Sequence, residues 1–350
     1  MSSRKSLSIT WMFIFYSLTL FYCSEPSFPP TVDSPLNLSG STMGTYFKVT
    51  VASLPPSIHE DELKVSIENL LGKINAQMST YISESELSRF NQYEKTDWFP
   101  VSSETALVVN EALKIHYLTE EAFDITVGPL VNLWGFGPPG RKGEVPNQEK
   151  VNITLKKVGS RHLQSRLTPP SLKKNIVDLY LDLSGIAKGF GVDHLAEYLE
   201  SIGITDFLVD IGGEMKTRGH KRDGMPWKIA IERPIIDNQE IQKIINLSNQ
   251  AIATSGDYRN YFNKDDQRYS HEINPKTGQP VQHRLASVAV LDSSCMRADA
   301  LATALMVLGP QEGYRLAERE RLAALFIIKE GDGFFEKATT GFTKLTKSKG

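Results

Sequence analysis

The sequence predicts an α+β fold in which helices pack on largely antiparallel sheets. Three features carry that expectation. Apolar residues recur at helical spacing over 60–78 and 102–119. Short runs rich in strand-forming residues crowd the second half, punctuated by the glycine turns Gly212-Gly213 and Gly331-Asp332-Gly333. Between the two regions, residues 176–199 read as a strand running straight into a helix, with a small-residue turn at the junction.

Residues 1–22 have the layout of a secretory signal. Arg4 and Lys5 precede an apolar run over 9–21, shorter than the roughly 20 residues of a membrane-spanning helix. Cys23 follows directly, with Leu20 well placed, so a lipoprotein-type signal and a lipid on Cys23 are expected. Tyr22 is bulky for that cleavage site, and an uncleaved anchor or an ordinary signal cut nearby are the alternatives. Residues 23–39 are proline-rich and read as a tether. The protein is then expected to be exported, on the periplasmic side of a bacterial membrane, with a single domain over 40–345.

Each element of that domain has its own signal. A strand over 45–52 follows the turn at 40–44. The helix at 60–78 comes next, then the helix at 102–119, entered through a capping region at Ser103 and Glu104. The glycine- and proline-rich loop at 135–143 is the best candidate for an internal boundary. A half-buried strand at 176–181 leads to a helix at 190–199 closed by Gly203. Strands follow at 207–211, 227–233 paired with 241–247, 251–254 and 286–291. A helix at 297–308 ends before Gly309, and 322–329 with 334–338 form a closing hairpin.

Composition narrows the function. The formal net charge of the 350 residues is −2, which gives no basic field for nucleic acid. The two cysteines, Cys23 and Cys295, show no zinc spacing, and a lipid on Cys23 precludes a disulfide between them. Cys295 reads as a small buried residue at a helix start.

The chemistry concentrates in four places. Asp182-Leu-Ser-Gly-Ile-Ala-Lys-Gly189 sits at a helix N-terminus, where free N–H groups, Gly185 and the Lys188 charge favour a phosphate. It is neither a Walker loop nor a dinucleotide fingerprint, and a tight turn with a surface lysine fits it equally well. Asp299 and Thr303 are four residues apart and share a helix face, so they can offer two oxygens to a hard cation. The simpler account is an acid serving its own helix dipole and a threonine bonded back to the chain. His271 precedes the Asn274-Pro-Lys-Thr-Gly278 turn, where exposed functional groups gather. Asp124, in Ala122-Phe-Asp124, offers a carboxylate to ring donors or else marks a helix-to-loop junction, and Met43 and Tyr81 fit either core or site.

In combination and in this order these segments resemble the ApbE family of flavin transferases from about residue 40 to 342. The matching motifs are Gly40-Ser-Thr-Met-Gly-Thr45, Met78-Ser-Thr-Tyr81, Ala122-Phe-Asp-Ile-Thr-Val-Gly-Pro129, Asp182 to Gly189, Asp210-Ile-Gly-Gly213, Ala253-Thr-Ser-Gly256, Ser270-His271 with Pro275-Lys-Thr-Gly278, and Ala298-Asp-Ala-Leu-Ala-Thr303. The resemblance implies an ApbE-like fold and Mg²⁺-dependent transfer of FMN from FAD to a threonine or serine of a target flavoprotein, with release of AMP. It implies that Met43, Tyr81, Ala122, Phe123, Asp124, Asp182, Lys188 and Ile273 line the FAD site. It places the metal on the Gly185 carbonyl and the side chains of Asp299 and Thr303. Lys188 is expected to stabilise charge on the phosphates, His271 to act as base, and Asp182 is the second choice for that role. The acceptor is expected to be another protein, a subunit of a membrane electron-transfer complex. An FAD pyrophosphatase giving FMN and AMP, and a non-catalytic FAD-binding lipoprotein, are the alternative readings.

Overall fold

Eight strands, β1 (Leu36–Thr42), β2 (Thr45–Val51), β6 (Phe207–Ile211), β7 (Glu214–Arg218), β10 (Ala251–Gly256), β13 (Leu285–Asp292), β14 (Ala323–Glu330) and β15 (Gly333–Ala338), join in that spatial order into one antiparallel sheet. The structure, a computed structural model, describes residues 34–140, 145–235, 240–258, 260–265 and 267–347. The signal segment and the lipidation site expected at Cys23 lie outside the described residues.

The central strands are apolar on both faces because both faces are covered. On β14, Ala324 and Phe326 point to the helical layer while Leu325 and Ile327 point the other way; on β13, Val290 and Leu291 divide in the same manner. The helical layer contains α1 (Glu60–Met78), α2 (Glu86–Gln92), α3 (Ser103–Leu118), α6 (Ala187–Ser201) and α7 (Cys295–Arg319). The opposite face is covered by the hairpin β8 (Trp227–Glu232) and β9 (Ile241–Leu247), whose Ile229, Ile231, Ile245 and Leu247 pack with Phe342 of α8 (Thr340–Lys347). The remaining elements are α4 (Gly128–Leu133), α5 (Gln148–Leu155), a small sheet of β3 (Phe99–Pro100), β4 (Leu163–Leu167) and β5 (Pro170–Lys174), and the hairpin β11 (Tyr261–Lys264) with β12 (Gln267–Ser270).

The α+β class with antiparallel sheets holds throughout, and several boundaries move. The tether expected over 23–39 is shorter at its end: Leu36–Thr42 is a strand that pairs with β2, burying Leu38. The two-residue turn between them puts Met43 at φ 48° and Gly44 at φ 72°, the left-handed geometry that a tight hairpin demands. Ser102, one residue before the expected cap, accepts the Thr105 N–H and starts α3. No boundary divides the fold at 135–143, since residues 35–350 form a single unit; residues 141–144 lie outside the described residues. The helix expected at 297–308 continues to Arg319 through a break at Gly309, whose φ of 79° and ψ of −175° interrupt the helical ladder.

The strand expected at 176–181 does not form. Its alternation is real, with Leu179 and Leu181 fully buried, but among the described residues no neighbouring strand lies alongside to supply a ladder. At its end the Asn91 side chain pairs with the Leu181 backbone, and the next residue, Asp182, donates to the Ile125 carbonyl.

Candidate active site

Helices α6 and α7 cap each other. Asp193 of α6 accepts the N–H groups of Cys295 and Met296 at 3.0 Å each, in the first turn of α7. Asp299 of α7 returns the contact, its Oδ2 accepting the Gly189 N–H of α6 at 2.9 Å. This close approach requires Gly189, because a Cβ there would stand 2.4 Å from the Cys295 carbonyl oxygen. The simpler account of Asp299, an acid serving its own helix, is therefore corrected: it accepts a free N–H in the first turn of the other helix, that of Gly189.

The same packing brings the two halves of the expected metal set together. Asp299 Oδ1 is turned toward Lys188, 3.8 Å from its Nζ. One turn later, Thr303 Oγ1 lies 3.4 Å from Ser255 Oγ and abuts Gly185, where a Cβ would be only 3.3 Å from that hydroxyl. Gly185, Asp299 and Thr303 thus meet, over a hundred residues apart in sequence.

These three residues stand on the wall of a cavity of about 640 Å³. Every other described candidate lines it too: Met43 and Tyr81, then Ala122, Phe123 and Asp124, then Asp182 and Lys188, and His271 with Ile273. Tyr81 is largely exposed at 69%, and burial followed by the Asp182 charge raises its hydroxyl pKa. The Asp124 carboxylate is also engaged within the protein. Its Oδ1 accepts from Thr126 N, Thr126 Oγ1 and Ser160 Oγ, and its Oδ2 from Ser160 N, which makes it an internal staple of the loop. Asp182 closes an Asx turn, with Oδ1 accepting from Ser184 N at 2.9 Å and Ser184 Oγ at 2.5 Å.

Lys188 forms a 2.7 Å ion pair with Glu214, a residue the sequence reading missed. Glu214 is 3% exposed, and its Oε2 has no hydrogen-bond partner among the described residues. Burial raises its carboxyl to about 7 against the pull of Lys188. Burial likewise raises Asp299, against Lys188 and the Gly189 N–H. For Lys188, burial works downward, but Asp299 and Glu214 outweigh it and hold the ammonium above its ordinary value. One cation faces two buried carboxylates whose ionised forms burial disfavours, and a further cation beside them would hold both ionised. The signal for Glu214 was present: an acid directly after the Asp210-Ile-Gly-Gly213 turn, at the start of a strand.

His271 sits just past β12. Its Nδ1 is 3.0 Å from the Asn260 carbonyl oxygen, and that acceptor fixes the proton on Nδ1 and leaves Nε2 as the basic nitrogen. Nε2 lies 3.4 Å from Oε1 of Glu272, a buried neighbour whose carboxyl burial pushes upward despite the histidine. Cys295 is fully buried at the start of α7, as expected, and burial pushes its thiol well up.

A family model described as the ApbE family matches residues 43–326. A protein from Vibrio cholerae named FAD:protein FMN transferase is 48% identical over 333 residues, covering 95% of this chain and 97% of its own. The solved flavin transferase ApbE from Vibrio cholerae superposes with a TM-score of 0.83 at 48% identity, covering 89% of this chain and 99% of that one. The apo Pseudomonas stutzeri flavinyl transferase ApbE gives a TM-score of 0.83 at 40% identity, covering 90% and 97%.

Proposed function

The chain belongs to the ApbE family, and from that premise we propose that it is an FAD:protein FMN transferase. The observation that carries this is the convergence of Gly185, Asp299, Thr303 and Lys188 on one cavity wall that Met43, Tyr81 and Ala122–Phe123 also line. The hydroxyl oxygen of an acceptor threonine or serine bonds to the flavin-side phosphorus. The bond from that phosphorus to the bridging oxygen breaks, AMP leaves with that oxygen, and the hydroxyl proton passes to a base.

The metal we propose is Mg²⁺, held by the Gly185 carbonyl, Asp299 and Thr303. The donor set fits, because all three are hard oxygens and Asp299 keeps Oδ1 clear of its capping bond. Among the described residues no group of three or more His, Cys, Asp or Glu side chains is placed for a metal, which disfavours a zinc-type site. When bound, the ion supplies charge neutralisation of the pyrophosphate and polarises the phosphorus. Lys188 adds a fixed positive charge beside the phosphates, positioned by Glu214. We assign the proton to His271 Nε2, with Glu272 placed to stabilise the imidazolium that forms. Asp182, tied to Ser184, is the weaker choice.

The acceptor we propose is a subunit of a membrane electron-transfer complex. We also propose export and lipid anchoring through Cys23, supported by the sequence of residues 1–23. Mass spectrometry of the mature N-terminus tests the anchor.

Incubation with FAD and Mg²⁺, with and without an acceptor flavoprotein, tests the activity. Covalent flavin fluorescence on the acceptor, with AMP formed in step, is the expected result. AMP released equally without acceptor means hydrolysis, and no AMP with any divalent metal means a binding protein.

A further inference from the structure

Leu181 is gripped on both sides by one side chain. Asn91 Nδ2 donates to the Leu181 carbonyl at 2.9 Å, and the Leu181 N–H donates to Asn91 Oδ1 at 2.7 Å. One residue on, the Asp182 N–H donates to the Ile125 carbonyl at 2.7 Å. A single amide thus does for this segment what a neighbouring strand does for a ladder.

Asn91 is itself held. It lies in the last turn of α2, and Lys174 Nζ donates to the carbonyls of Phe90 and Asn91, at 3.2 Å each. Lys174 is fully buried; the Asp178 charge favours its ammonium, but Asp178 forms its 2.8 Å ion pair with Lys157. A buried ammonium without a counter-ion in contact is costly. Here the partial negative charge of a helix C-terminus stands in for one, and Phe90 offers its ring face 5.3 Å away. Nothing in the proposed reaction uses Lys174 directly, and a buried leucine or methionine would fill its place without that cost.

We propose that Asn91, anchored by Lys174, is a positioning residue that fixes Gly185 against Asp299 and Thr303; this rests on the metal reading above. The span it controls is short. Leu181 is clamped at one end, and at the other the Leu183 carbonyl accepts the N–H groups of Ile186 (3.0 Å) and Ala187 (2.8 Å), which begin α6. Gly185 lies between those two fixed points. Freed from the clamp, the segment is tied to a neighbouring element only by the Asp182 bond to Ile125, its Asx turn with Ser184 being internal, and the Gly185 carbonyl loses its register with the α7 side chains.

The test uses the full mature chain with Asn91→Ala, Asn91→Asp and Lys174→Met. In Asn91→Ala the Mg²⁺ concentration for half-maximal AMP release rises by about 10- to 100-fold, while KM for FAD at saturating Mg²⁺ stays near the wild-type value. The upward melting shift produced by Mg²⁺ alone shrinks, and amide hydrogen exchange quickens over 181–185 but not in α7. Asn91→Asp keeps the acceptor for the Leu181 N–H and gives an intermediate effect, and Lys174→Met moves the same readouts in the same direction. An Asn91→Ala protein with wild-type exchange at 181–185 and an unchanged Mg²⁺ requirement overturns the proposal. So does a variant in which Mg²⁺ response, KM for FAD and α7 exchange all worsen together, since that is general softening. Should Asn91→Ala not fold, fast exchange of the Leu181 amide in the wild type is sufficient to reject the clamp. Absence of AMP release by the wild type counts against the transferase reading alone, because exchange and the Mg²⁺ melting shift still judge the clamp.

Discussion

Asp299 Oδ2 accepts the Gly189 N–H at 2.9 Å across 110 residues of sequence. One carboxylate therefore closes the N-terminal turn of α6 with one oxygen and faces Lys188 with the other.

Asp299→Ala is expected to lower Mg²⁺-dependent AMP release by at least about 10²-fold, the scale of losing one preorganised electrostatic group. The loss of a cap costs only about 1 kcal/mol, so the fold survives. AMP release across a Mg²⁺ titration, beside circular dichroism of the same sample, checks this; unchanged FAD cleavage would falsify the metal assignment.

Lys188 and Glu214 separate structure from chemistry. Lys188→Met leaves the buried Glu214 without its partner and is expected to cost about 3–5 kcal/mol in urea unfolding. The double variant Lys188→Met/Glu214→Met recovers part of that stability, because Asp299 still lacks its cation. Neither variant recovers FAD cleavage, and a double variant with normal cleavage would remove Lys188 from the reaction.

Tyr81 lines the cavity yet is 69% exposed, so it adds little to the core, and the proposed FAD site is where its ring would make contact. Tyr81→Ala should change unfolding free energy by less than about 0.5 kcal/mol. It should raise KM for FAD by about tenfold, the scale of one aromatic contact. Parallel unfolding curves and FAD saturation curves decide the point.

His283 sets a pH dependence of stability. Its Nε2–H donates to the Met306 carbonyl at 2.7 Å, and Nδ1 is buried without a partner among the described residues. Protonation must place a charge on that nitrogen, so burial holds the pKa below its ordinary value, despite the Met306 carbonyl. A depressed folded pKa means full stabilisation above about pH 6.5, lost as pH falls toward the folded value, by at most about 1.4 kcal/mol per pH unit. The difference in unfolding free energy between wild type and His283→Gln should therefore shift against the wild type between about pH 6.5 and 5. A pH-independent difference would contradict this account.

Local signals settled much of the fold. The helix over 60–78, the strands at 207–211 and 241–247 and the closing hairpin all follow from periodicity and turn chemistry, which act over a few residues. The candidate residues were legible too, because small residues, acids and a lysine in fixed order carry chemistry whatever surrounds them. Where the sequence misled, the missing fact was a distant partner. The alternation at 176–181 predicts a strand, but a strand needs a neighbour, and the neighbour there is the side chain of Asn91. Asp124 lines the cavity as expected, but its bonds to Thr126 and Ser160 were not visible in the sequence.

By itself, then, the sequence determined the α+β class, the family resemblance and the set of candidate residues that line the cavity. Only the tertiary structure decided that α6 and α7 cap each other and bring Gly185 to Thr303. It also decided that Glu214 sets Lys188 in place and that Asn91 and Lys174 hold the intervening turn. The reason is physical: propensity and pattern are local, whereas a buried charge or an unpaired N–H is satisfied by whatever the folded chain brings near it.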